Sequence, residues 1–268
     1  GSLNELEELW LCGGKNLTAT GFCHLLRPKL KVICLDEANL RGLVLPASMW
    51  PRSLETVFLE ECQHLSGKTF AQMLQPGLVQ ISADASEFTD DDLAGVQAPS
   101  SLQDVHLTNA KRLSARGLAP LLGAGVEDLI LEGADLTDTD VISLPLTSSQ
   151  EGLCLVPCER LTNASVQHIV TSCPKLVSLS LGSLAIDDGA AESLARLSVG
   201  KWCGIHLSSP RLSIDALRKL SQALGPNAVV ELEPSGLRFR NGQRWPPGLR
   251  TQQPPVKEPQ PDGEVPVP

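Results

Sequence analysis

The amino-acid sequence predicts an α/β fold in which tandem repeats stack into a solenoid, each adding one strand to a parallel sheet and one short helix or turn to the other side. Three observations lead to this prediction. A leucine motif returns at a constant interval, apolar and polar residues alternate within it, and helix-like apolar spacing follows in alternate copies. The chain is also 42% hydrophobic but only 3% aromatic. Aliphatic side chains of similar size suit such a core, because each layer must match the next.

The repeat motif is LxxLxL, and its first copy begins at Leu6. The next six copies begin at positions 30, 54, 78, 102, 126 and 150, so the interval between them does not change. Three further copies follow at slightly longer intervals, at Leu176, at Trp202 and, in frayed form, around Val230. This periodicity predicts about ten repeats over residues 1–237.

A strand is expected at the start of each repeat. With the first motif residue counted as position 0, positions +3 and +5 are apolar and should face the core. Positions +2, +4 and +6 should then face outward. In a curved array of repeats this outward face is concave, and it is the usual binding surface.

The segment after each strand alternates between two types. An apolar residue follows at +11 in odd repeats and at +10 in even repeats, so the pattern of the first part of the array recurs with every second repeat. Odd repeats continue with helical spacing, as at Phe70, Met73 and Leu74. We therefore expect short helices in odd repeats and turns or 3₁₀ segments in even ones. The prolines that oppose a helix in repeats two, four and six are Pro46, Pro51, Pro99 and Pro145.

Position +8 is small in most repeats and is cysteine at Cys62 and Cys158. The segments 62–66 (CQHLS) and 158–162 (CERLT) resemble the cysteine-containing class of leucine-rich repeats, whose pattern is LxxLxLxxCxxLT. The resemblance covers roughly residues 3–237 and implies a right-handed horseshoe with a parallel concave sheet and short helices or 3₁₀ turns on the convex side. This class is best known from F-box/leucine-rich-repeat proteins, which are intracellular. The sequence departs from it in its shorter repeats and in having cysteine at only two +8 positions.

The outward positions of repeats one to six are strongly acidic. With the flanking +1 and +7 positions they hold twelve acids and one base, Lys31. Like charges on neighbouring strands, about 4.8 Å apart, destabilise a sheet. A broken local rule of this kind points to function, so we expect a basic partner surface; a solvated face that only keeps the protein soluble is the alternative. The twelve acids are Glu7, Glu8, Asp36, Glu37, Glu55, Glu60, Glu61, Asp84, Asp104, Glu127, Asp128 and Glu132.

The +4 positions add aromatic side chains to this face. Trp10 and Phe58 should both point outward, as the hot spots of protein interfaces do. Alternatively, a segment preceding Gly1, or the tail of the chain, covers Trp10. From repeat seven onward the same face is neutral and small, so a basic partner should contact the N-terminal two thirds. The predicted partner-binding residues are Glu8, Trp10, Asp36, Phe58, Glu60, Asp84, Asp104, His106, Asp128 and Glu132.

The motifs of phosphate-binding loops, dinucleotide folds, metalloproteases and serine hydrolases are missing from the sequence. Cys154 with Cys158, and Cys203 with His206, are isolated pairs that no second pair completes into a zinc site. A flat sheet should also lack the desolvated pocket that raises a carboxyl pKa. We therefore predict no catalytic residue, no cofactor and no metal site. The net charge of −9 opposes nucleic acid, and no apolar run has the roughly 18 residues of a membrane helix, so neither is expected as a partner.

The composition changes near Arg238. Residues 238–268 contain eight prolines and are predicted to form a disordered or polyproline-like tail beyond the repeats of residues 1–237. The start of this tail is basic, with Arg238, Arg240, Arg244 and Arg250 around Trp245. One hypothesis is that the basic segment folds back on an acidic surface as a cap.

The expected function is a non-enzymatic interaction scaffold or substrate-recognition module for a basic protein, and the resemblance extends this to a receptor of a ubiquitin ligase. The alternatives are a structural subunit of a large assembly and a non-catalytic regulator of an enzyme. Scattered cysteines fit a reducing compartment, so we expect the cytoplasm, with the nucleus as the alternative. The first repeat begins almost at Gly1 without a polar cap, so we expect a segment to precede it.

Overall fold

The computed structural model describes residues 3–14, 16–123, 125–197 and 203–245 and has an α/β fold. A twelve-stranded sheet follows the chain order from β1 to β12. The first ten strands are parallel to their neighbours, and the last two form an antiparallel hairpin against the tenth. The strands are β1 (Glu8–Trp10), β2 (Val32–Cys34), β3 (Thr56–Leu59), β4 (Gln80–Asp84), β5 (Asp104–Thr108), β6 (Asp128–Glu132), β7 (Gly152–Val156), β8 (Ser178–Gly182), β9 (Cys203–Ser208), β10 (Ala228–Leu232), β11 (Leu237–Arg240) and β12 (Gln243–Trp245).

Short helices connect the parallel strands, and from α2 to α8 each helix packs against the next. No helix in the described parts of the chain combines the length and the apolar character needed to span a membrane. The α-helices are α1 (Ala19–Cys23), α2 (Gly67–Met73), α3 (Asp90–Leu93), α4 (Ala115–Leu118), α5 (Asp138–Ser143), α6 (Asn163–Ser172), α7 (Asp188–Leu194) and α8 (Ile214–Leu224). Residues Leu3–Glu5, Ala47–Met49 and Ala119–Leu121 form 3₁₀ helices.

Each of the ten predicted repeats contains a parallel strand in the predicted frame. Residues at +3 pair directly across strands, as Leu9 does with Ile33 and Val57 does with Ile81. These side chains are buried in one cluster together with the apolar residues of the helices. The other side of the sheet carries positions +2, +4 and +6, which we call the open face. The constant register and the single helix layer are compatible with solenoid-like stacking.

Two aromatic pairs join consecutive repeats inside the core. Phe22 of α1 meets Trp50 with 5.8 Å between ring centroids, and Phe70 of α2 meets Phe88 at 5.0 Å. All four side chains are buried. Burying one large apolar side chain contributes about 1.5–3 kcal/mol, so each pair fastens an odd repeat to the even repeat that follows it.

The odd repeats contain helices, as the apolar spacing predicts, and these helices begin at hydroxyl caps. The cap side chain accepts a hydrogen bond from a backbone N–H of the first turn, which would otherwise have no partner within the helix. This end of the helix is therefore fixed by a single Ser or Thr in each case. The caps are Thr18, Ser66, Ser114, Thr162 and Ser213.

Even repeats follow the expectation in repeat two and depart from it in repeats four and six. Ala47–Met49 is a 3₁₀ helix directly after Pro46, as expected. Repeats four and six instead contain the short α-helices α3 and α5. Both begin at a capping box, in which Thr89 pairs with Asp92 and Thr137 pairs with Asp140. The prolines of these two repeats lie beyond the helix ends, so they do not prevent the helical turn.

A set of carboxylates links even repeats to the odd repeats that follow. Asp90 at the start of α3 accepts hydrogen bonds from the backbone N of Ser114 at 2.8 Å and from its Oγ at 2.5 Å. The acceptors lie at residues 90, 138 and 188, so the two-repeat period of the sequence corresponds to a repeated contact. We call these pairs the carboxylate ladder: Asp90–Ser114, Asp138–Thr162 and Asp188–Ser213.

The C-terminal end of the sheet differs from the sequence prediction. The boundary placed between residues 237 and 238 falls inside β11, and β12 adds a further strand. Arg238 Nε donates to Glu231 Oε2 of β10 at 2.7 Å, and Phe239 is buried. The basic start of the predicted tail thus covers the last parallel strand. Its prolines all lie in residues 246–268, outside the described residues.

We predict that Asp90→Ala lowers the free energy of unfolding by about 1–3 kcal/mol, because the N–H and the hydroxyl of Ser114 lose their acceptor at the start of α4. Urea denaturation followed by circular dichroism measures the change.

Asp91→Ala is the matched control. Its carboxylate is 82% exposed and pairs with Arg116 on the surface, so its loss should cost less than about 1 kcal/mol. Equal losses for the two variants would contradict the structural role of the ladder.

Candidate functional site

The open face of β1–β6 carries all ten residues that the sequence predicts for partner binding. They fall into an aromatic group at the N-terminal edge, a row of acids at +6, and a cluster around His106. Consecutive strands pair in register, so equivalent positions form rows across the sheet. Glu8 and Trp10 lie on β1, Asp36 follows β2, Phe58 and Glu60 lie on and directly after β3, Asp84 ends β4, Asp104 and His106 lie on β5, and Asp128 and Glu132 lie on β6.

The acids of the +6 row accept hydrogen bonds from neutral groups. Asp36 Oδ1 accepts from the backbone N of Glu60 at 2.8 Å. Asp84 accepts from the backbone N of Ser86 at 2.8 Å and from Asn109 Nδ2 at 2.9 Å. Hydrogen bonds to a carboxylate stabilise its charged form. They offset part of the repulsion along the row without removing any negative charge.

His106 lies between two carboxylates on the open face. Its Nδ1 is 3.2 Å from Glu60 Oε1, and its Nε2 is 3.8 Å from Glu132 Oε1. The Nε2 atom is buried and has no hydrogen-bond partner. The His106 ring therefore lies between carboxylates at the ends of β3 and β6, and its Nε2 atom is close to Glu132 without forming a hydrogen bond.

Asp104 and Asp128 form a carboxyl pair on adjacent strands, at directly paired positions. Burial, followed by the charges of Asp128 and Glu127, raises the pKa of Asp104 to about 6. Burial, followed by the charges of Glu127 and Glu151, also raises the pKa of Asp128. The expectation that a flat sheet would lack a partly desolvated carboxyl is therefore wrong at Asp104, whereas Asp128 remains exposed.

Packing against the next strand covers part of the Asp128 side chain, although the residue remains exposed overall. A Cβ at Gly152 on β7 would overlap Asp128 Oδ1, so the carboxylate occupies the space over the glycine. A side chain at this position would have to displace it. Gly152 thus leaves room for the Asp128 carboxylate against the sheet, and the partial loss of solvent there raises the pKa of this carboxyl.

The aromatic group consists of Trp10, Phe58 and the neighbouring Glu8. The rings of Trp10 and Phe58 stack with 6.1 Å between centroids and 29° between planes. Trp10 Nε1 donates to Glu8 Oε2 at 3.0 Å. Trp10 is 56% exposed and Phe58 is half-buried. Because Phe58 supports one side of the indole, the other side offers a preorganised apolar surface.

Bases do not neutralise the centre of this face. Among the residues described, no Lys or Arg forms a salt bridge with Glu60, Asp84, Asp104, Asp128 or Glu132; Glu60 and Glu132 pair only with His106. The lysines near the N-terminal edge pair with flanking acids instead, Lys29 with Glu5 and Lys31 with Glu7. The acidic potential of the open face is therefore directed to solvent.

Two thiols beside Asp36 were missed in the sequence. The Sγ atoms of Cys12 and Cys34 lie 2.9 Å apart, and Cys34 Sγ is 3.3 Å from Asp36 Oδ2. Cys12 is at +6 in repeat one, and Cys34 and Asp36 are at +4 and +6 in repeat two. The repeat frame could have indicated this proximity, because equivalent positions in neighbouring repeats are adjacent in the sheet.

A groove of about 490 Å³ lies at the other end of the sheet, beyond the acidic region. It was also missed in the sequence, which only predicted a neutral face there. Small residues such as Gly182 and Ser208 leave the space, and Leu184 is 57% exposed beside it. The groove contains none of the ten predicted residues.

Comparison of the sequence with protein-family models gives no match, and comparison with curated proteins gives none either.

We predict that Asp104→Asn stabilises the protein by about 1 kcal/mol near pH 8, less than the full pKa shift corresponds to, because the carboxyl is only partly buried. The folded-state pKa of Asp104 lies above its ordinary value, so ionising it disfavours the folded state as the pH rises through about 6. The gain should fade as the pH falls toward about 4. Thermal unfolding at a series of pH values measures it.

Asp128→Asn tests whether the two carboxyls act as a pair. It should also stabilise the protein at high pH, and the double variant should gain little more than either single variant, since removing one charge already relieves the repulsion. Additive gains, or a gain independent of pH, would contradict the pairing.

Proposed function

We propose that this chain is a non-catalytic recognition module that binds a basic surface of another protein on its open face. The proposal includes a leucine-rich-repeat architecture, a right-handed horseshoe whose open face is concave. It is supported by the repeat motif and the parallel register of ten strands.

The observation that carries the proposal is the uncompensated cluster of Glu60, Asp104, Asp128 and Glu132 around His106. A Lys or Arg side chain of a partner, placed beside Glu132, would pair with a carboxylate that no described Lys or Arg contacts. A basic side chain placed beside Asp104 would likewise lower the pKa of the Asp104–Asp128 pair, because a nearby cation favours the ionised carboxylate. Binding and ionisation would thus support each other.

The aromatic group adds an anchor next to the acids. Exposed Trp is enriched among residues that dominate the energy of protein interfaces. Phe58 and Glu60 are separated by one residue at the end of β3, so the aromatic group and the His106 cluster form one continuous surface. A partner that presents a basic side chain and an apolar side chain a few ångströms apart would engage both.

The proposal assigns no reaction to this surface. The described groove of about 490 Å³ lies at the other end of the sheet, and the His106 cluster is on an open sheet without walls that would exclude water from a reacting group. The narrower role as a substrate receptor of a ubiquitin ligase rests on the sequence resemblance alone.

Peptides selected from a random display library test the proposal directly. We predict that the selected peptides are enriched in Lys and Arg, and that Glu60→Lys with Glu132→Lys weakens their binding at least tenfold, or about 1.4 kcal/mol. Fluorescence anisotropy measures the affinity, and raising the salt concentration should weaken wild-type binding.

The matched control makes the same charge change on the helix side. Asp91→Lys with Glu192→Lys alters net charge equally, on α3 and α7, and should change the affinity by less than about twofold because these side chains lie far from the open face. Equal weakening by the two double variants, or peptides without basic enrichment, would overturn the proposal.

A separate prediction concerns the aromatic anchor. Trp10→Ala should weaken peptide binding by about 2 kcal/mol or more, as expected of a hot spot, while lowering the free energy of unfolding by less than about 1 kcal/mol because the side chain is already 56% exposed. Ile142→Ala, an exposed apolar residue of α5, is the control and should leave binding unchanged. A loss of stability as large as the loss of affinity would argue against the anchor.

A further inference from the structure

Three potential metal ligands converge at the N-terminal edge of the open face. The Sγ atoms of Cys12 and Cys34 and a carboxylate oxygen of Asp36 all lie within 4.8 Å of one another. Among the residues described, this is the one group of three or more Cys, His or acidic side chains that approaches so closely. The ligands come from two repeats, so no local sequence motif marks them.

The distances match a tetrahedral zinc ion with a small adjustment. Zinc bonds of about 2.3 Å to sulfur and about 2.0 Å to oxygen place two thiolates about 3.8 Å apart and a sulfur about 3.5 Å from the oxygen. Here the Cys12–Cys34 separation is 2.9 Å and the Cys34–Asp36 separation is 3.3 Å. An outward movement of Cys12 by about 1 Å therefore brings the two sulfur atoms to the separation that zinc requires, and the Asp36 carboxylate oxygen already lies within 4.8 Å of both. Cys12 is exposed on a turn, and its side chain has room to make this movement.

The backbone holds the three residues in this arrangement. The turn after β1 is joined to the end of β2 by hydrogen bonds from Leu11 N to Cys34 O at 2.8 Å and from Gly13 N to Asp36 O at 2.7 Å. Asp36 Oδ1 accepts from Glu60 N, which leaves Oδ2 directed at Cys34. Such outer partners orient a carboxylate ligand for a metal.

We propose that Cys12, Cys34 and Asp36 form a binding site for a zinc-like divalent cation, with the fourth position open to solvent. Two sulfur ligands select such ions over Mg²⁺ and Ca²⁺, which prefer oxygen. On binding, each thiol loses one proton to solvent and its sulfur forms one bond to the ion, so two protons are released for each cation bound. Asp36 also belongs to the predicted partner-binding residues, so the cation site borders the surface proposed to bind a basic partner, but cation binding does not require that partner.

The Asp36 carboxylate adds a negative charge beside the two thiols, and this charge attracts a dication.

Titration with Co²⁺, with the thiols kept reduced by a phosphine, tests the site in the whole chain. Cobalt bound by thiolate gives a charge-transfer absorption, and we expect one equivalent to bind, to release two protons, and to be displaced by Zn²⁺. Cys12→Ser and Cys34→Ser should each weaken binding by more than the roughly tenfold to hundredfold that loss of an outer-shell partner costs. Asp36→Asn should weaken it at least about tenfold.

Cys154→Ser is the matched control. Cys154 lies on β7 at the same +4 position that Cys34 occupies on β2, but it does not belong to a group of three close metal ligands among the described residues. It should leave the absorption and the affinity unchanged. The exposed position of Cys12 keeps its variant folded, which circular dichroism checks. A wild-type protein that gives no thiolate absorption, or one whose absorption survives Cys12→Ser, overturns the proposal.

Discussion

The structure depends on in-register pairing of parallel strands between repeats of constant length. Because every repeat returns the same position to the same place, the buried row of Leu9, Ile33, Val57 and Ile81 can continue through the sheet. The constraint acts equally on the other side of the strands. Whatever residue types occupy +2, +4 and +6 are forced into rows as well, so acids that are far apart in the chain become neighbours such as Asp104 and Asp128.

The frame of the ten parallel strands could be predicted because periodicity and burial act on the same positions. The helices of repeats four and six could not be predicted from proline content. Capping boxes at Thr89 and Thr137 start these helices, and both helices end before the prolines of their repeats. The two-repeat period was visible in the sequence, but its cause was not. From repeat four onward it coincides with hydrogen bonds such as those from Ser114 to Asp90, which require two repeats to be placed side by side.

The candidate site was predictable as a set of rows and not as a set of contacts. Strand alternation placed all ten residues on the open face. It did not indicate that His106 reaches Glu60 two strands away, or that Cys12 turns toward Cys34, because diagonal contacts depend on side-chain rotamers and on the turn after β1. The raised pKa of Asp104 was missed for a related reason. The raised value comes first from the burial of Asp104 and then from the charge of Asp128, whose carboxylate occupies the space over Gly152; these contacts appear only in three dimensions.

The charges of the open face are distributed unevenly along the sheet. β1–β6 carry Glu8, Asp84, Asp104, Asp128 and Glu132, whereas β7, β8 and β9 carry no charged side chain other than the titratable His206. The field along the stack of strands is therefore asymmetric, and it exerts a torque on any elongated body of uneven charge before contact is made. Such a body would be turned so that its positive end approaches the early strands. Orientation is thereby selected during diffusion and is independent of the fit of individual side chains.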